Sequence, residues 1–120
     1  MPEVRVRYKV TIPPAILEQL CKHVLPIQVA YALNVWGMLE ANLMPKDIEV
    51  HADPVGPFDV QSVDVAIIVE ANDYPSRRAK LVSVKDYLCA DIGRVLMGPN
   101  GIFTSSVWVR LAPGAFGEAK

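Results

Sequence analysis

From Val4 to Val10 the chain alternates without a break, with Val4, Val6, Tyr8 and Val10 on one side and Arg5, Arg7 and Lys9 on the other. Period-two alternation of β-branched and aromatic residues with charges predicts a half-buried strand that starts almost at the first residue. Ile12-Pro13-Pro14 ends it, and a proline in a first helical turn predicts a helix from about Pro14. Ile16, Leu17, Leu20, Val24 and Leu25 then recur at helical spacing. Pro26 interrupts the pattern. An interior proline removes one ladder bond and clashes with the preceding turn, so a kink or break is expected there. A second apolar helical segment, Ile27 to about Leu39, carries Val29, Ala30, Leu33 and Trp36, and Glu40 to Pro45 reads as a loop.

Asp47 to Ala52 alternates again and predicts a second strand. Asp53-Pro54-Val55-Gly56-Pro57-Phe58-Asp59 is a turn-rich loop, ordinary turn chemistry for its two aspartates. The third strand, about Asp64 to Ala71, holds the nearly all-apolar run Val65-Ala66-Ile67-Ile68-Val69, the pattern of a central strand covered on both faces. Asn72-Asp73-Tyr74-Pro75-Ser76 signals a helix start, with Asp73 or Ser76 as cap. That helix is expected to turn Ala79, Val82, Leu88, Ile92, Val95 and Leu96 toward the core and to stop at Gly98-Pro99-Asn100-Gly101. A last strand, Phe103 to Leu111, sets Val107, Val109 and Leu111 against Ser106, Trp108 and Arg110, and Ala112 to Gly117 follows as a terminal loop.

The order is β-α-β, then β-α-β. This predicts an α+β fold of α/β-type sandwich, in which two β-α-β units form a four-stranded mixed sheet with helices on one face. A single domain is expected over 1–120, with halves of about 1–58 and 59–120. The uncovered face collects Arg5, Arg7, Lys9, Glu49, His51, Ile68, Glu70, Trp108 and Arg110. It is too polar for a core and too apolar and aromatic for a plain solvated surface, which predicts a subunit interface in a homo-oligomer.

Composition narrows the chemistry. Among 120 residues 52% are apolar and 21% charged, so the chain is globular rather than disordered. A net charge of −1 makes no case for nucleic acid or a membrane surface as partner. There is neither an apolar run of transmembrane length nor a leader pattern, so a cytoplasmic protein is expected. Cys21 and Cys89 read as buried free thiols. His23 and His51 stand alone, and no phosphate loop, Cys-His cluster or Ser-His-Asp arrangement is present, so no metal or cofactor is expected. What remains is Pro2. Removal of Met1, expected before so small a residue, leaves a free secondary amine at the head of an ordered strand. The plain alternative is a proline at a strand's first residue, where its missing N–H is harmless.

Met1-Pro2 leading into a strand, the Asp73-Tyr74-Pro75-Ser76-Arg77-Arg78 helix entry and Val107-Trp108-Val109-Arg110 sit in a β-α-β-β-α-β chain of this length. Together they resemble the tautomerase superfamily, which includes 4-oxalocrotonate tautomerase and macrophage migration inhibitory factor. The resemblance spans essentially the whole chain. It implies a homotrimer whose sheets surround a channel, and an isomerase acting on a small keto or enol carboxylate with Pro2 as general acid and base. An α-amine titrates at about 7.7–8.0, and an amine near neutrality suits proton transfer α to a carbonyl. Arg77 and Arg78 are implied to grip the substrate carboxylate, with Arg110 and Trp108 as further pocket residues. Each also has a bland reading: solvated first-turn residues for Arg77 and Arg78, an interface or core aromatic for Trp108, and for Arg5, Arg7 and Lys9 cross-strand pairing with Glu49, Glu70 or other acids. The chain departs from the family pattern in its long segment through Pro26 and in having no arginine between residues 13 and 45. The alternative function is a non-catalytic trimer of the same fold; a monomeric ferredoxin-like ligand-binding domain is a third.

Overall fold

A computed structural model describes residues 2–36, 43–72, 78–98 and 101–112. Strand β1 (Glu3–Tyr8) stops two residues short of the alternating run. Lys9 N–H donates to the Asp64 carbonyl and Ile12 N–H to the Lys9 carbonyl, turning the chain and leaving Val10 77% exposed rather than on the buried face. The first helical region runs as α1 (Pro14–Glu18), a π-helical turn (Gln19–Val24) and α2 (Leu25–Trp36). Pro26 therefore does not break the helix. Its ring would press on the carbonyl four residues back, and the turn just before it is widened, with Leu25 N–H reaching Leu20. Asn34 then clamps the segment that leads to the next strand, donating to the Leu43 carbonyl at 2.7 Å and accepting from Leu43 N–H at 2.8 Å.

After a 3₁₀ turn (Pro45–Asp47) comes β2 (Glu49–Pro54), shifted two residues beyond the expected strand, so Asp53 is in a strand and not a turn. Strands β3 (Val65–Asn72) and β6 (Ser105–Ala112) lie close to their expected bounds, but β3 is not covered on both faces: Val65, Ile67 and Val69 are buried while Ile68, on the face without helices, is 38% exposed. Helix α3 (Leu81–Val95) lies between them. It buries Val84, Leu88 and Ile92, with Leu96 just beyond its end, a stripe of side chains four apart. Val82 and Ala79 face outward, against expectation: they fall off that stripe. The caps Asp73 and Ser76, the chain at 99–100 and the loop from residue 113 lie outside the described residues. Met97–Gly98 (β4) and Gly101–Ile102 (β5) form a small antiparallel hairpin that the Gly-Pro-Asn-Gly stop signal did not announce.

The main sheet has the order β2-β1-β3-β6. β1 is parallel to β2, β3 is parallel to β6, and β1 meets β3 antiparallel. Two β-α-β units thus join along their first strands into a four-stranded mixed sheet, with the helices on one face. Val4, Val6, Val65, Ile67 and Val69 on the inner face are fully buried beneath Leu20, Leu25, Val29, Leu33 and Leu88. Asp64 and Thr104 fasten the β3 and β6 starts together: each backbone N–H donates to the other's side chain, at 3.0 and 2.9 Å. Cys21 and Cys89 are free thiols. Cys89 is exposed, contrary to expectation, because it follows Leu88 onto the outer side of α3; burial pushes the Cys21 thiol up.

Leu88→Ala removes the centre of the α3 stripe and is expected to lower unfolding stability by about 2–5 kcal/mol, read from urea denaturation. A loss under about 1 kcal/mol would mean that α3 does not seal this core.

Candidate active site

Strand polarity decides what meets at each end of the sheet. β1 and β2 begin, and β3 and β6 finish, at the same end. Glu3 pairs with Glu70, so the next residue of each strand puts Pro2 opposite Ala71, which is itself in register with Leu111. Pro2 is buried there on the inner face, its carbonyl accepting from Glu49 N–H at 3.2 Å. The chain leaves β3 at Asn72 from this same end, and Arg78 is the first described residue after it, exposed at the helix entry. Arg77 lies outside the described residues.

One residue away on the outer face runs a row in register: Glu49, Glu3, Glu70, Arg110. The next row is His51, Arg5, Ile68, Trp108. Arg110 donates from Nε at 3.0 Å and from Nη2 at 2.5 Å to the same Glu70 oxygen. Arg5 is held by Glu3 at 2.8 Å. These four charged residues, with Ile68, line a cavity of about 310 Å³. Pro2 does not line it. The structure therefore brings Arg110 to the Pro2 end but on the opposite face of the sheet, and stands Trp108 beside it, 65% exposed and so no core aromatic.

The acids that pair with the basic residues of β1 are neither Glu49 nor Glu70. Arg5 pairs within its own strand, Arg7 reaches Asp59 at 2.7 Å, and Lys9 approaches Asp64 at 4.0 Å. Register explains this: Arg5 faces His51 and Ile68, and Arg7 faces Asp53 and Ala66, so no glutamate stands opposite either. Asp59 also accepts Gly56 N–H at 2.9 Å and its own N–H donates to the Gly56 carbonyl at 3.1 Å, closing a turn over Pro57-Phe58, as its turn-rich sequence predicts. A broader depression of about 520 Å³ lies beside this loop, between Lys9, Val10 and Val60, but Asp59 and Gln61 in its wall are engaged by protein groups. Glu3, Arg5, Ile68 and Glu70 were not singled out from sequence as pocket residues. The alternation placed three of them on the outer face, and only the strand register brings them together.

Among the described residues no group of three or more metal-ligating side chains converges, and no helix is long and apolar enough to cross a membrane. Neither a family model nor a curated protein matches the chain. Solved structures do. It is similar to a macrophage migration inhibitory factor-like protein of Entamoeba histolytica, at TM-score 0.57 and 12% identity over 94% of this chain and 90% of that one. It is similar to the F6 fused 4-OT asymmetric trimer, at TM-score 0.61 and 13% identity over 97% and 91%. The fold is that of the tautomerase superfamily. A malonate semialdehyde decarboxylase also aligns, at TM-score 0.50 and 11% identity over 98% and 92%.

The Gly56 hydrogen bond, and after it the Arg7 charge, holds the Asp59 carboxyl below the ordinary aspartate value. A carboxyl lowered on folding stabilises the fold above its unfolded-state pKa and loses that contribution as pH falls through its folded value. The stability gap between wild type and Asp59→Asn is therefore expected to be largest near neutral pH and to close in acid. A gap that widens on acidification would contradict the assignment.

Proposed function

We propose that the chain is a tautomerase-like isomerase, one domain acting as a homotrimer on a small keto or enol carboxylate, with Pro2 as general acid and base. The observation that carries this reading is Pro2 itself. It heads a strand paired on both sides, so a freed amine there has a fixed position, and burial disfavours its ammonium form. Neutral, the Pro2 nitrogen takes a proton from the carbon α to the carbonyl, the C–H pair forms the C=C bond as the carbonyl oxygen becomes an enolate, and the ammonium returns the proton to that oxygen; ketonisation is the same sequence in reverse. Arg77 and Arg78, which follow β3 in sequence, are the arginines proposed to grip the substrate carboxylate; Arg110 and Trp108, on the other face of the sheet from Pro2, would serve a pocket shared across subunits of the trimer. The fold shared with the fused 4-OT trimer supports the trimeric assembly, in which the exposed Trp108 and Ile68 are covered.

A second reading keeps the fold and drops the chemistry: a non-catalytic trimer that binds a ligand or partner. It is favoured by one observation, that Arg5 and Arg110 are both already held by carboxylates. Ketonisation of phenylenolpyruvate separates the two. Wild type is expected to accelerate it, and Pro2→Ala to lower turnover by about 100-fold or more, the usual share of a positioned acid-base group. Undiminished turnover in Pro2→Ala, or none in wild type, favours the second reading.

A further inference from the structure

On its β2 side Pro2 is held by a short segment of chain. Glu49 N–H donates to the Pro2 carbonyl at 3.2 Å, and Ile48 just before it is buried in the core. The chain leading to Glu49 is fixed in turn by a relay of hydrogen bonds. Asn34, in the last turn of α2, accepts from Leu43 N–H at 2.8 Å and donates to the Leu43 carbonyl at 2.7 Å. Met44 N–H donates to the Asp47 carboxylate and Asp47 N–H to the Met44 carbonyl, both at 2.9 Å. Ile48 N–H then donates to the Pro45 carbonyl at 3.2 Å. Helix α2 also packs against the 3₁₀ turn within this segment.

Asn34 ties the relay to the helix layer. A carboxamide carries both an acceptor and donors, so one side chain satisfies both backbone groups of Leu43. Without it, the Leu43 N–H and carbonyl lose these partners at a half-buried position, and water replaces them only if the segment moves outward. Such a movement carries Glu49 with it and opens the inner face beside the proline ring.

We propose that Asn34 is a positioning residue for Pro2: through residues 43–49 it keeps the β2 side of the proline closed, and with it the water-poor setting that favours a neutral amine. The role of that amine is the one given by the tautomerase reading, on which this inference rests. Asn34 acts at one remove and carries no charge. Asn34→Leu therefore removes the two bonds while leaving every charged group around Pro2 in place. Those groups are Glu3, Glu49 and Glu70 on the outer face, Lys46 and Asp47 in the 3₁₀ turn, and Arg78 where the chain enters α3. Opening the site lets water reach the ammonium form, so the amine's titration midpoint rises.

The test is an NMR titration of the chain that starts at Pro2, labelled at proline, in wild type, Asn34→Leu, Leu88→Ala and Pro2→Ala. The proline signal that titrates, and that is missing from Pro2→Ala, reports the amine. Wild type is expected to titrate below the value of about 7.7–8.0 of an ordinary α-amine, and Asn34→Leu about half a pH unit or more above wild type. Asn34→Gln, which keeps the amide on a longer arm, should fall between them. Leu88→Ala loosens the core under the other helix and should leave the midpoint in place, so lowered stability alone does not mimic the effect. Hydrogen exchange on wild type needs no variant to fold: the Leu43 and Glu49 amides should open together, with protection within about a factor of ten of each other. A midpoint unmoved or lowered in folded Asn34→Leu, an equal rise in Leu88→Ala, or a Glu49 amide that stays protected while Leu43 exchanges freely overturns the proposal. Turnover is read separately. If Asn34→Leu raises the midpoint while wild type does not ketonise phenylenolpyruvate, the positioning stands and the enzymatic reading fails. If Pro2→Ala abolishes turnover while Asn34→Leu titrates like wild type, the enzymatic reading stands and the positioning fails.

Discussion

The antiparallel seam between β1 and β3 is the constraint on which everything else depends. Each half supplies only a parallel pair of strands with a crossover helix, and neither pair alone covers its inner face. Joining them along β1 and β3 places Val4 and Val6 against Val69 and Ile67, fully buried beneath the helices. The seam also fixes which termini coincide. Because β1 runs against β3, the first residues of the chain lie where β3 and β6 finish, and Pro2 is held next to Ala71 and Leu111 instead of fraying as a chain end.

The same register that buries Pro2 orders the charges beside it. A shift of one residue would carry Glu3, Glu70 and Arg110 to the inner face, where unpaired charges are far too costly. With the observed register the hydrophobic faces are closed, and the outer face is left with alternating acidic and basic rows around Ile68 and Trp108. The fold is shared with proteins only 11–13% identical to this chain.

Much of the architecture was legible from alternation and punctuation. The β1 and β6 faces, the mixed outer surface and the two β-α-β units follow from period-two runs separated by helical spacing and prolines, whereas the nearly all-apolar run of β3 hides that only one of its faces is covered. Failures occurred where local pattern competes with context. Val10 continues the alternation of β1 but is carried into a turn by the Lys9–Asp64 bond. Pro26 looks like a helix breaker, yet a π-helical turn absorbs it. Val82 is apolar but lies off the stripe that Val84 begins. The candidate site was half legible: Pro2 and Arg110 stand out by position and type, while the Glu70–Arg110 and Glu3–Arg5 pairs depend on register and rotamer, which no single strand's sequence specifies.

The central claim is that Pro2 presents a basic amine, and this requires a chain that starts at Pro2. While Met1 remains attached, the nitrogen is an amide with no lone pair to offer. Intact-mass spectrometry of the protein made from its own start codon, without an N-terminal tag, decides the matter most directly. The account predicts a mass lower than that of the full 120-residue chain by one methionine residue. A mass that retains Met1 would contradict it.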